Sequence, residues 1–477
     1  MKSFDPLLQA WQETLARKRD AAAIFATSGA VLRTFGEIEQ RTRDLLPRIE
    51  AFHPGDVIAV QVGNHEDWPS ILIACLRRRL VVLPLEQSIS EQQRAAALQV
   101  CSASAVVSAV HSGNSPEILR LRTADTTVDW RENQPNLLKL TSGTTATPRA
   151  IRFRSEHLLA DCNQICETMG ITDSDLNFGV IPMSHSYGFS NLLTPLIARG
   201  VPMVVSSDRT PRAILANLVR ANATVFPGTP VFYQAFCEME RVPELPKLRL
   251  CISASAPLPS ATARRFQQKF SLPIHVFYGA SECGGICYDR YATNSTEGFV
   301  GEAMEGVQVE LVDLEASTTR VRVQSAAVGD GYFPQPEEDK LGNRIFVPDD
   351  LLTREGFGLK IVGRISDVIN VAGKKVNPAE VEAYLLRFTG VRQAVVFGRE
   401  STLRNEEVAA CVVVAPNVSE TDLLQFCRGA LSAWQVPKRI FIVATIPANE
   451  RGKISRRDLA RRFSANRETS PFPSLGS

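Results

Sequence analysis

"LKLTSGTTATPRAIRF", residues 138–153, decides how the chain is read. Apolar residues at its two ends predict a strand finishing near Leu140 and a second one over "AIRF", 150–153. Between them lie Thr141, Ser142, Gly143, Thr144, Thr145 and Thr147. Small, hydroxyl-bearing residues of this kind let backbone N–H groups converge on an anion and add side-chain donors of their own. Arg149 at the far end carries a guanidinium fork that can grip phosphate oxygens in pairs. The GxxxxGK[ST] spacing of a Walker loop is missing. Taken alone, the stretch reads more readily as an ordinary polar connection than as a phosphate cradle.

The rest of the chain sets the frame. With 477 residues, 44% hydrophobic and 22% charged, it is long enough for two or more domains with sizeable cores. A formal net charge of +2 argues against a general nucleic-acid binder. Basic residues do gather near the C-terminus, from Lys438 and Arg439 to Arg467, either as a solvated face or as a surface for a phosphate-bearing or acidic partner. Of the ten cysteines none has CxxC spacing, and the six histidines do not cluster with them, so a zinc site is not expected. The first 20 residues lack the apolar core and cleavage site of a secretory signal, and no run approaches the roughly 20 apolar residues of a membrane-spanning helix. Free thiols in a reducing cytoplasm are the expectation.

Along the first 130 residues helical and strand-like patterns alternate. "FGEIEQRTRDLLPRIEAF", "WPSILIACLRRR" and "EQQRAAALQVC" read as helices, "DVIAVQV" and "LVVLPL" as strands. The alternation resumes after residue 155, predicting an α/β fold with parallel strands. Around 297–365 short alternating segments separated by Gly, Asp and Pro predict a small antiparallel, barrel-like β subdomain. Past "VGRISDVI" a fresh unit starts, with helices over 378–388 and 420–433 and strands "AVVFG" and "EVAACVVVA". The expected organisation is therefore a large N-terminal domain, 1–364, made of two α/β subdomains plus the β subdomain. A small α+β C-terminal domain, 367–464, and a polar tail, 465–477, follow it.

Five further motifs follow the opening loop in order: "SASAPLP" (253–259), "FYGASE" (277–282), "VPDDL" (347–351), "VGRISDVINVAGKKVNPAEVE" (362–382) and "ANERGKISRRDL" (448–459). Their order and spacing resemble the adenylate-forming superfamily, which contains acyl-CoA synthetases, luciferases and the adenylation domains of peptide synthetases. The resemblance runs from about residue 20 to 460 and implies that superfamily's fold, in its AMP-forming acyl-CoA synthetase form.

What the resemblance implies for single residues is specific. "LTSGTTATPRA" matches the family's phosphate loop, TSGTTGxPKG, at Thr141, Ser142, Gly143, Thr144, Thr145 and Pro148, and departs from it at Ala146, Arg149 and Ala150. In "YGASE", Tyr278 would stack on adenine, Gly279 would allow close backbone approach, Ala280 and Ser281 would complete the nucleotide contact, and Glu282 would hold Mg²⁺. Ala256 and Pro257 would line the adenine, with Ser255 and Gly279 bordering the acyl pocket. Asp350 would accept from the ribose hydroxyls and Arg364 would complete the ribose and phosphate contacts, although Asp349 stands where the family has glycine. Ser366 would be the hinge, Gly373 would line the thiol channel, and Lys453 would place its charge on the reacting oxygens.

"PMSHSYGFSN", 182–191, resembles the segment beside the acyl tunnel and places His185, Tyr187 and Gly188 there, with His185 also a candidate for catalysis or simply a packed core histidine. Amino-acid-activating relatives usually carry an Asp here, and this stretch has no acidic residue, which favours a fatty or aryl acid without an amino group. The implied reaction uses ATP and Mg²⁺ to convert the carboxylate to an acyl-adenylate, and then transfers the acyl group to a thiol. Coenzyme A is the expected acceptor and the phosphopantetheine arm of an acyl carrier protein its close rival. A ligand-binding relative without turnover is the alternative from another class, and the absence of a GxSxG elbow counts against a serine hydrolase.

Overall fold

The computed structural model describes residues 5–109, 116–121, 128–130, 133–141, 148–293, 296–314, 318–371, 374–401, 405–447 and 454–464. The chain divides into two units. The first takes its residues from 1–312, 321–348 and 354–360, the second from 313–320, 349–353 and 361–477.

In the first unit Val57–Gln61, Val81–Pro84 and Ala103–Ser108 are almost wholly apolar, the pattern of strands covered on both faces. They pair in parallel, Val57 lying opposite both Val81 and Ala103. Leu137–Leu140 adds a further parallel strand beside Val81–Pro84. The chain then reverses, and Ala150–Phe153 returns antiparallel with Ala150 opposite Leu140. Gly331–Phe333, from far along the chain, closes this edge with Tyr332 opposite Ile151. The two strands that the apolar flanks predict are both present, and they form a hairpin within a sheet of seven strands among the described residues.

A second set of parallel strands contains Ala22–Phe25, Met203–Val205, Asn177–Gly179, Val225–Gly228, Leu250–Ser253 and Ile274–Ala280, hydrogen-bonded in that order. Gly284–Tyr288 then folds back antiparallel on Ile274–Ala280, which leaves "YGASE" at a hairpin end. Helix Trp68–Arg77 is apolar around its whole circumference, and every residue from Trp68 to Leu76 is buried. In the segment anticipated as β-rich the pairings are antiparallel, with Val323 opposite Phe346 and Phe299 opposite Lys360.

The second unit is built around Asn405–Val414. It pairs antiparallel with Val391–Ser401 and Ile369–Val371 and parallel with Arg439–Ile442. Alternation sorts its side chains: Val408, Ala410 and Val412 meet Val381 and Leu385 of helix Pro378–Leu385 and Leu423 of helix Glu420–Arg428. Ala409 and Cys411 meet Ile446 and Leu459 on the other face. Both of those helices stop short of the predicted ends. Arg428 is followed by Gly429, and the chain after Leu385 turns into a strand through Gly390, whose φ is +102°. Arg456 ties this unit together. Its guanidinium donates to Asp367 at 2.5 Å, to Glu382 at 2.9 Å and to the Val396 carbonyl at 2.9 Å.

Lys139 departs from the apolar pattern of its strand. It is 5% exposed, with its ammonium 4.6 Å from the Phe153 ring centre and 5.4 Å from that of Phe189. Burial lowers its pKa, and the negative charge of Asp161 only partly offsets that. A lysine with a lowered folded-state pKa binds fewer protons in the native chain than in the unfolded one. Stability should therefore rise with pH between the lowered value and the ordinary 10.5. Lys139→Met is expected to stabilise the unit by about 1–3 kcal/mol near neutrality and to flatten this alkaline rise. Urea midpoints measured at a series of pH values check it, and equal pH slopes for both proteins would refute it.

Candidate nucleotide and acyl site

In the first unit the hairpin around residues 141–149 is closed by Thr141, whose backbone N–H and hydroxyl both donate to the Arg149 carbonyl, at 3.0 and 3.3 Å. The tip, with Ser142, Gly143, Thr144, Thr145, Ala146 and Thr147, lies outside the described residues. Ala150 needs no glycine freedom. It opens an extended strand, is fully buried, and packs with Val81, Leu83 and Leu138.

Arg149 is engaged rather than extended into solvent. Its guanidinium lies over the Tyr332 ring, 4.0 Å from the centre, and forms an ion pair with Glu337. Tyr332, 3% exposed, donates its hydroxyl to Glu282 Oε1 at 3.0 Å. Burial and the neighbouring carboxylate push that phenol well above its usual range, so it stays a donor. The Glu282 carbonyl is held by the Gly329 N–H at 2.9 Å. Arg149 and Glu282, distant in sequence, are thereby joined through one aromatic side chain.

The stretch 182–191 reaches the same hairpin end. The Tyr187 N–H donates to His185 Nδ1 at 3.2 Å, so a neutral His185 ring carries its proton on Nε2. Ser186 donates to the Ser281 hydroxyl at 3.0 Å, linking "SHSYG" to "YGASE". Gly188 is required where it stands, since a Cβ there would lie 2.1 Å from the Pro182 carbonyl oxygen. Gly279 is likewise constrained, 2.5 Å from the Gly284 carbonyl. Tyr187 packs against Phe277, ring centres 5.8 Å apart, and Tyr278 on the same strand is buried. The Tyr187 hydroxyl is buried and meets no hydrogen-bond partner among the described residues. Ser255 adopts φ +73°, a left-handed backbone that favours glycine. Ala256 is half-buried beside it, and Pro257 is exposed.

In the second unit Arg364 Nε donates to Asp350 Oδ1 at 2.6 Å. Asp350 is buried and Asp349 exposed, so of the two acids it is Asp350 that the arginine holds. Ser366 lies in the short turn Ile365–Asp367. Gly373 and Lys453 lie outside the described residues. Arg456, at the start of helix Arg456–Ser464, is three positions beyond Lys453.

Tyr332 and Glu337 escaped the sequence reading. "GDGYFPQPEED" belongs to none of the motifs, and only the pairing of Gly331–Phe333 with Ala150–Phe153 brings Tyr332 to the loop.

The model of the AMP-binding enzyme family matches residues 11–332, and that of the AMP-binding enzyme C-terminal domain matches 380–453. The chain belongs to the AMP-binding enzyme family. Among similar members, an oxalate–CoA ligase of Arabidopsis thaliana is 26% identical, the match covering 94% of this chain and 97% of that protein. A feruloyl-CoA synthase of an Amycolatopsis species is also 26% identical, covering 96% and 99%. In fold, the chain is similar to ATP-bound MatB from Rhodopseudomonas palustris. The TM-score is 0.81 at 22% identity, covering 96% of this chain and 99% of that one. The large N-terminal and small C-terminal parts of the family fold are thus present.

The Tyr187 hydroxyl, without a hydrogen-bond partner among the described residues, can be tested directly. A buried donor without an acceptor costs about 1–3 kcal/mol, so Tyr187→Phe should raise the thermal midpoint while weakening use of an acid that supplies the acceptor. Calorimetry with KM for the acid measures both, and a fall in the midpoint would show that the hydroxyl is satisfied in the folded chain.

Proposed function

We propose that the protein activates a carboxylic acid lacking an amino group, fatty or aryl, by ATP-dependent adenylation and passes the acyl group to a thiol, coenzyme A. A carboxylate oxygen attacks the α-phosphorus, the bond to pyrophosphate breaks, and an acyl-adenylate forms. The thiol then loses its proton to solvent and attacks the acyl carbon, a thioester bond forms, and AMP leaves with the bonding electron pair. Two anions must approach each other in the first step, so cationic groups are needed where charge accumulates. Arg149 would exchange Glu337 for the outer phosphates, and Lys453 would neutralise the reacting oxygens. Asp350 and Arg364 would hold the ribose, with Tyr278, Ala256 and Pro257 around the adenine.

The residues present suit Mg²⁺. Among the described residues no three His, Cys, Asp or Glu side chains gather into a metal cluster. Mg²⁺ commonly takes one or two carboxylates and completes its shell with water and phosphate, and Glu282 is such a carboxylate. When bound, Mg²⁺ supplies charge neutralisation at the phosphates.

The observation that carries the reading is the meeting of Arg149 and Glu282 on Tyr332, within the segment that the AMP-binding model matches. For the acid, support comes from the stretch 182–191, which has no acidic side chain to pair with an ammonium. The names of relatives that act on oxalate and ferulate accord with acids without an amino group. A carrier-protein thiol is the rival acceptor, and the basic C-terminal residues suit either one. The binding-only alternative rests on Ala146, Ala150 and Asp349. Ala150 sits in an extended strand, and Asp349 leaves the Asp350–Arg364 pair intact, which weakens it. All ten cysteines are free and buried, and no described helix is long and apolar enough to cross a membrane.

Pyrophosphate release measured across a panel of carboxylates, with Lys453→Ala as control, tests the reading. Turnover is expected with at least one fatty or aryl acid and a fall of roughly a hundredfold or more in the variant. Background rates for both proteins with every acid would favour binding alone. AMP release with free coenzyme A against a phosphopantetheine-loaded carrier separates the two acceptors.

A further inference from the structure

The contacts of Tyr332 assign it a part that no motif gives it. Its hydroxyl meets Glu282 Oε1 at 3.0 Å, while its ring forms the platform for Arg149, at 4.0 Å. The ring is buried, and its backbone is fixed by pairing with Ile151 in the returning arm of the phosphate-loop hairpin. We propose that Tyr332 is a positioning residue that orients the Glu282 carboxylate for a divalent cation and, through its ring, seats Arg149 for the nucleotide. The proposal rests on the reading of Glu282 as a metal ligand.

The physical argument concerns freedom. A glutamate side chain has three rotatable bonds, and a ligand that must be ordered at the moment of binding loses affinity. A hydrogen bond from a buried, backbone-anchored phenol removes that freedom beforehand, and loss of such outer partners typically costs 10–100-fold in metal affinity. The ring acts separately. A guanidinium stacked on an aromatic face is held in plane, with its N–H edge turned outward for paired acceptors. In the structure one Glu337 carboxylate oxygen meets Arg149 Nη1.

These two parts can be taken away one at a time. Tyr332→Phe removes the hydroxyl and keeps the ring, and Tyr332→Leu removes both. Binding of Mn²⁺ to the full chain with α,β-methylene-ATP, followed by the electron paramagnetic resonance of free Mn²⁺, reads the metal without turnover. Nucleotide binding in the presence of EDTA reads the other half. Tyr332→Phe is expected to weaken Mn²⁺ roughly tenfold and leave metal-free nucleotide binding unchanged, whereas Tyr332→Leu should weaken both. Glu282→Gln separates this proposal from the reading beneath it. If Glu282→Gln loses Mn²⁺ and Tyr332→Phe binds it like the parent, the positioning role is overturned and the metal reading stands. If Glu282→Gln binds Mn²⁺ like the parent, the metal reading falls and takes the proposal with it. A Tyr332→Phe variant that loses metal and metal-free nucleotide binding equally would show a merely structural role.

Discussion

The register of Gly331–Phe333 against Ala150–Phe153 is the constraint on which the candidate site depends. Three residues of extended chain, added to the edge of a sheet, put Tyr332 opposite Ile151 and so beside Arg149. Side chains alternate along a strand, and a slip of one residue would turn the phenol to the other face. The Gly329 N–H, just before this strand, holds the Glu282 carbonyl, so one short segment braces both the loop arginine and the carboxylate. Arg149 and Glu282, the charged groups that the proposed chemistry uses, are thus carried on sheet edges and hairpin ends, where the backbone is already hydrogen-bonded.

Around that corner the chain keeps polar groups in places that weaken an apolar core. Lys139 is buried between Phe153 and Phe189, Tyr187 keeps a buried hydroxyl with no hydrogen-bond partner among the described residues, and Ser255 holds a left-handed backbone without being glycine. All three lie in or next to a motif: Lys139 two residues before Thr141, Tyr187 beside His185, and Ser255 beside Ala256. Backbone strain and unsatisfied polar groups concentrate where function outweighs packing.

Much of this was legible in the sequence, for reasons that are local. The strands flanking residues 141–149 follow from apolar runs, and the parallel sheets follow from helix and strand alternation. The pairing of Asp350 with Arg364 joins two residues that the motifs already named. Tyr332 and Glu337 were not legible, because their partners come from strand pairing across a long stretch of chain, and nothing in "GDGYFPQPEED" marks it. Nor does "SASAPLP" disclose that Ser255 takes a positive φ, because serine is an ordinary residue for a loop. The ends of helices Pro378–Leu385 and Glu420–Arg428 were overrun because apolar spacing continues past residues where the chain already turns.

In the proposed reaction a carboxylate oxygen attacks the α-phosphorus of ATP. An acid that the protein turns over, labelled with ¹⁸O in both carboxylate oxygens, tests it most directly through the mass of the AMP released. Formation of an acyl-adenylate predicts one ¹⁸O atom in each AMP after transfer to the thiol. AMP without label, or label found in inorganic phosphate or pyrophosphate instead, would rule out an acyl-adenylate.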